Sequence, residues 1–207
     1  MVKTALLDSV EHQDSELFVL EGPSAASALR TLRDRQTQAI LPMQGKVPNA
    51  VKVPWHKLSQ HAQIADLLQS LHPERSIEPE FSCFRYQRVV LLNDPDVDGM
   101  HAGMLLVLFL YKYLPALIEQ GRLYSVQVPL YGLYRDGKCI AYAYSDDQKD
   151  MLSAKMSADG KPADIRRFKS VASVDRQILK VCLSQESDKR RQLTLTQCVR
   201  LCSSFKK

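Results

Sequence analysis

No run of about 18 apolar residues occurs anywhere in the chain, so no membrane-spanning helix is expected. The nearest approach, Met104 to Leu110, is interrupted by Tyr111, Lys112 and Tyr113 and reads better as a helix buried against a sheet. The first residues, Met1 to Asp8, lack the apolar core and cleavage site of a secretory leader. The five cysteines are an odd number without a CxxC pair. Cys198 and Cys202 are spaced for one helix face, but no second ligand pair lies nearby, which argues against structural zinc. Scattered free thiols suit a reducing cytoplasm. Internal repeats and low-complexity tracts are also missing.

What is present is a chain of 207 residues, 45% hydrophobic, enough for one domain and an appendage. Its net charge of +5 is unevenly spread. Residues 165–207 hold 11 Lys and Arg against 3 Asp and Glu, a net of +8, and the rest, with 17 against 20, sums to −3. A basic tail on a mildly acidic body suits a phosphate backbone, whose counterions it would release; a solvated helical surface is the plainer alternative.

Short apolar runs at Leu17–Leu20, Ala39–Leu41, Arg88–Leu92 and Tyr124–Gln127 read as strands. Pro42 is expected to stop the second. Helical patterns cover Ala25 to about Arg35, with Ser24 as a candidate cap, Ser59–Leu71, and a long stretch from Gly99 to about Glu119 ended by Gly121. Gly45, Pro48, Asn49 and Pro54 mark a loop, and 72–83 a polar one. Leu130–Tyr134 and Cys139–Tyr144 flank Asp136-Gly137 as a hairpin. Alternating strands and helices indicate an α/β fold with a mostly parallel sheet flanked by helices. The expected division is a lead-in at 1–15, a domain at 16–145 and a small helical, basic tail at 146–207.

Asp94, Asp96 and Asp98 lie where the clearest strand ends and the long helix begins. Ligands bind at that carboxyl edge in parallel α/β sheets. In an extended segment the three share a face, and carboxylates so close repel unless a cation offsets them. Mg²⁺ takes such oxygen ligands and keeps several waters. The plainer alternative is that Asp98 caps the helix and the others are solvated. A calcium loop of the type D-x-D-x-D-G would need glutamate at its twelfth position, which here is Leu105, so that reading fails. Glu21 also follows a strand and precedes a helix. In one parallel sheet it would share an edge with the aspartates and could act as general acid or base; alone, it could be an exposed turn residue. Together these residues point to metal-assisted phosphoryl transfer.

A glutamate after one strand and DxD after a later one resembles the Toprim domain of topoisomerases, primases and some nucleases. Longer strings narrow the resemblance. Residues 16–25, ELFVLEGPSA, are similar to ELYLVEGDSA; residues 33–42, RDRQTQAILP, to RDRKTQAILP. Gly45-Lys46-Val47 with Asn49 resembles GKILN, Asp94 to Gly99 with His101 resembles DADVDGSH, and Gln127 to Tyr131 resembles QPPLY. In the tail, Ile165 to Lys169 resembles IQRYK and Asp188 to Arg191 resembles ESRR. These strings mark the B subunit of bacterial gyrase and topoisomerase IV, and they cover nearly the whole chain except 138–164, where the family carries a longer connection.

The resemblance implies a Toprim, Rossmann-like fold and a role in DNA cleavage and religation. It makes Glu21 the general acid/base and, with Asp94, Asp96 and Asp98, a holder of one or two Mg²⁺ ions. It makes Arg33, Lys46, His101, Arg166, Arg167 and Lys169 contacts to double-stranded DNA. It implies an A-type gyrase subunit that supplies a tyrosine nucleophile, and a separate ATPase module for strand passage. No ATP site is expected here, so the chain alone is expected to be inactive, working in the cytoplasm at the nucleoid and not at a membrane. Several positions depart from the family: Pro23 for aspartate, Ala26-Ser27 for two glycines, Gln44 for lysine, Gly103 for arginine, and Ser170 to Ser173 for Gly-Leu-Gly-Glu. Loss of glycines is expected to alter tight backbone approaches. A stand-alone Toprim nuclease and a non-catalytic DNA-binding or topoisomerase-interacting protein remain as alternatives.

Overall fold

The computed structural model describes residue 6 and residues 14–71, 84–158, 160 and 162–204, apart from the side chains of Cys202 and Ser204. The loop expected at 72–83 and most of the lead-in lie outside these residues. In chain order the elements are β1 (Glu16–Glu21), α1 (Gly22–Arg30), β2 (Gln38–Met43), α2 (Trp55–Leu58), α3 (Ala62–Leu71), β3 (Arg88–Leu92), α4 (Val97–Tyr113), α5 (Ala116–Glu119) and β4 (Leu123–Val126). There follow β5 (Tyr131–Arg135), β6 (Lys138–Ala143), α6 (Asp146–Ala158), β7 (Asp164–Arg167), a 3-10 turn at Val171–Ser173, α7 (Arg176–Leu183), β8 (Arg190–Gln192) and α8 (Leu195–Ser204).

The main sheet has five strands in the order β2-β1-β3-β4-β8. The first four run parallel and β8 is antiparallel to β4. This is the α/β class expected from the alternation of elements. Alternating side chains of β1 enter opposite layers. Leu17 and Val19 pack with α3 and α4, while Phe18 and Leu20 pack with α1, α7 and the 3-10 turn. A second sheet, β6-β5-β7, carries α6 on one side.

Several boundaries differ from the sequence expectation. Helix α1 starts at Gly22, whose φ of +82° suits glycine, and Ser24 does not cap it; Pro23 fits because the first turn needs no amide there. Pro42 lies inside β2 instead of ending it. The strand is at the sheet edge, where a missing N–H costs no ladder bond. The long helix breaks at Leu114–Pro115 and restarts as α5. The tail is not wholly helical: β7 joins the second sheet, and β8 closes the open side of the main one.

The start of β1 carries a fully buried glutamate. Glu16, 0% exposed, pairs with Arg190 of β8 and with Arg88 Nε at 2.9 Å, and its other oxygen accepts from Gln38 Nε2 at 3.2 Å. Gln38 Nε2 also donates to the carbonyl of Leu183 at 2.7 Å, as does Arg190 Nη2 at 3.3 Å, so the end of α7 is tied to the same cluster. Three strands and the tail thus meet at one carboxylate. Replacing Glu16 by Ala leaves the Arg190 guanidinium, 4% exposed, buried without its partner. The expected loss is about 3–5 kcal/mol, read from the urea midpoint. Arg191→Ala, on the exposed side of the same strand, is expected to stay within about 0.5 kcal/mol of the parent.

Candidate acidic site at the sheet edge

In the main sheet Leu20 stands opposite Leu92, so the next residues, Glu21 and Asn93, end neighbouring strands at one level, and Asp94 follows. β2 lies on one side of β1 and β3 on the other, which makes the gap between β1 and β3 the topological switch point. There, beyond the carboxyl ends of the strands, an open α/β sheet leaves its crevice. The residues expected to hold a metal sit at that crevice because the register puts them there.

Each carboxylate has its own environment. Glu21 is half-buried, and its Oε2 is buried without a hydrogen-bond partner. Burial, and then the charges of Asp94, Asp96 and Asp98, hold its pKa above the ordinary carboxylate value, while Lys46 pulls the other way. Asp94 is likewise raised, chiefly by burial and secondarily by Asp96; the amide of Val171, which donates to its Oδ1 at 2.7 Å, opposes the shift. Asp96 caps α4 by accepting from the Gly99 amide at 2.8 Å. The capping role considered for Asp98 thus belongs to Asp96. Asp98 is exposed and turned to Lys46, with Nζ 2.7 Å from its Oδ1; this contact lowers its pKa. Lys46 Nζ also stands 3.4 Å from His101 Nδ1.

Gly99 is required by close approach. A Cβ there would lie 2.3 Å from the carbonyl oxygen of Asp94, a backbone atom that cannot swing aside. Gly103, the position where the resemblance implies arginine, faces the Asn93 side chain, which fills the space a Cβ would need. Beside the cluster a recess is lined by Glu21, Met43, Gly45, Asn93 and Ala102.

The structure brings Lys46 and His101 to the acidic cluster but not Arg33. Arg33 follows α1 at the opposite edge of the sheet and donates to the Gln38 carbonyl, closing the turn before β2. Arg166 and Arg167 are exposed on β7, with the Arg166 guanidinium 4.2 Å from the Tyr134 ring centre. The same stretch of chain runs on through Lys169 to Val171 and so reaches Asp94. Val171 acts through its backbone, so no residue type in the sequence signals it.

Among the described residues, no three His, Cys, Asp or Glu side chains converge closely enough to hold a cation in this arrangement. The four expected ligands are not gathered into one set: Asp98 is engaged by Lys46, Asp96 by the Gly99 amide and Asp94 by the Val171 amide. The donors nevertheless fit a divalent cation chemically. Glu21 has a buried, unpartnered oxygen, and the charges of nearby carboxylates help to raise its pKa. An added positive charge relieves both faults at once.

Comparison with known proteins agrees with this geometry. The Toprim domain family matches residues 16–128. The DNA gyrase B subunit of Metamycoplasma hominis is 35% identical over 194 residues, which is 93% of this chain and 30% of that protein. The Thermotoga maritima gyrase B subunit is 32% identical over 93% of this chain, and the DNA topoisomerase 4 B subunit of Bartonella bacilliformis 37% over 80%. The chain spans less than a third of the length of these relatives.

The raised carboxylates give a pH test. A carboxyl whose folded pKa lies above its unfolded one binds more protons folded than unfolded, so stability falls as pH rises through that window. Without divalent cations, Asp94→Asn is therefore expected to raise the melting temperature at pH 7. The gain should close as pH falls towards the ordinary value of 3.8. A gain that persists below that value would point to a cause other than charge.

Proposed function

Since the chain belongs to the Toprim family, we propose that it is the metal-binding DNA cleavage and religation part of a type IIA topoisomerase B subunit, gyrase-like, acting with an A-type subunit that supplies the tyrosine nucleophile. The observation that carries the proposal is the unpartnered, buried Oε2 of Glu21 at the switch point of the sheet, on a side chain whose pKa the nearby charges of Asp94 and Asp96 help to raise. Glu21, Asp94 and Asp96 would hold one or two Mg²⁺ ions. When bound, the ion offsets charge on the phosphate and on the leaving oxygen. Glu21, its pKa raised first by burial, would act as the general acid towards the leaving sugar oxygen on cleavage and as the general base towards the same hydroxyl on religation. Asp98 orients Lys46 beside His101, and the two contact a phosphate of double-stranded DNA. Arg166 and Arg167 of β7, and Lys169 just after it, extend that contact.

Exposed apolar side chains at Val97, Met100 and Met104 of α4, the first 73% exposed, border the acidic cluster and suit a protein partner there. Strand passage would draw on a separate ATPase module, and the work would be done at the nucleoid in the cytoplasm. Among the described residues no helix is long and apolar enough to cross a membrane.

The test is to mix the chain with a gyrase-type A subunit, supercoiled plasmid and Mg²⁺ and to score covalent protein–DNA complexes. Cleavage is expected only with the A subunit. Glu21→Gln is expected to lower it roughly 10²–10⁴-fold, and Asp94→Ala to abolish it. Cleavage without an A subunit would favour a stand-alone nuclease, and DNA binding without cleavage a non-catalytic protein. For the basic strand, Arg166→Ala with Arg167→Ala is expected to weaken DNA binding and flatten its salt dependence by about one unit of slope for each phosphate no longer neutralised.

A further inference from the structure

Asp94 is held by a group that contributes no side-chain chemistry. We propose that the backbone amide of Val171 is the positioning group that fixes the Asp94 carboxylate for cation binding, a role that rests on the metal-binding function proposed above. The amide donates to Asp94 Oδ1 at 2.7 Å across 77 residues of sequence. It is free to do so because it opens the 3-10 turn at Val171–Ser173, where an amide has no acceptor within the turn. Its direction is set twice. The Val171 side chain is 0% exposed and packs with Phe168 and with Ala25, Ala26 and Leu29 of α1, the helix that starts directly after Glu21. Ser173 Oγ accepts from the Ser170 amide at 3.2 Å and donates to the Ser170 carbonyl at 2.6 Å, which pins the residue before the donor.

The consequence is geometric. One oxygen of Asp94 is tethered, so the carboxylate plane cannot rotate freely, and its second oxygen is left for a ligand. Partners outside the ligand set orient metal ligands in this way. The turn also joins the two halves of the acidic cluster, because it rests on the helix that follows Glu21 and bonds to Asp94. Segment 170–173 departs from the family's glycine-rich string, yet any residue except proline supplies the donor.

That exception gives the experiment. Ser170 has φ −148° and ψ 160°, the extended conformation that a residue preceding proline requires, and position 171 opens a helical turn, where proline is accepted. Val171→Pro therefore removes one N–H and little else. Val171→Ala keeps the N–H and loses buried methyl groups. Mg²⁺ binding to the full chain is measured by titration calorimetry, with thermal melting without cation as the structural control. V171P is expected to bind Mg²⁺ roughly 10–100-fold more weakly than the parent, whereas V171A melts earlier but binds Mg²⁺ as the parent does. V171P binding like the parent, or V171A losing as much affinity as V171P, overturns the role. If V171P does not fold, Ser173→Ala takes its place: a few-fold loss of affinity supports the role, and unchanged affinity overturns it. A parent chain that shows no saturable Mg²⁺ uptake overturns the metal-binding reading itself, an outcome distinct from a parent that binds alongside a V171P that binds equally well.

Discussion

Glu16 places a carboxylate where water is excluded, and the fold tolerates it because Arg190, Arg88 and Gln38 meet both of its oxygens. A buried charge with partners adds little net stability, because desolvation offsets the attraction, and the same charge without them is severely destabilising. The cluster therefore acts as a condition on the whole sheet. β1, β3, β8 and the end of α7 all converge on it. It also explains why part of the basic tail is not a nucleic-acid surface, since Arg190 is consumed inside the protein.

The two ends of β1 make a contrast. Both carry glutamate, one at 16 and one at 21, six residues of strand apart counting both. At the first end every oxygen is satisfied; at the second, an oxygen is buried without a partner and its neighbours are carboxylates of like charge. Buried polar atoms without partners are uncommon, and a bound ion is one way in which such an atom is satisfied. The compensated glutamate ties the sheet together, the uncompensated one stands at its acidic edge, and the same strand fixes the distance between them.

The parallel core was legible in the sequence because its strands are short, uninterrupted apolar runs, and Arg88–Leu92 matches β3 residue for residue. The acidic cluster was legible because its spacing and its place between strand and helix are both written in one dimension. The parts that were not legible fail for identifiable reasons. β7 and β8 are short and charged, DIRR and RRQ, and are strands only because a neighbouring strand offers them an edge. Pro42 reads as a terminator until its place at the sheet edge is known. Arg33 belongs to a DNA-binding string by resemblance, but its turn lies at the far edge of the sheet, where it bonds the Gln38 carbonyl. Asp98 has the spacing of a ligand, but only the folded chain brings Lys46 across 52 residues to engage it. Val171 contributes through an amide that every non-proline residue owns.

The span of the Glu16 cluster bears on how the chain is made. Arg88 lies 72 residues after Glu16 and Arg190 lies 174 after it. At synthesis rates of about 5–20 residues per second, the second arginine leaves the ribosome roughly 10–35 s after the glutamate. During that interval β1, β2 and β3 can pair, with Arg88 and Gln38 on the carboxylate, while the side of β4 that β8 will cover stands open. The nascent protein thus holds its parallel strands before it holds their cover on that flank, and the last of the described strands to emerge is the one that supplies it.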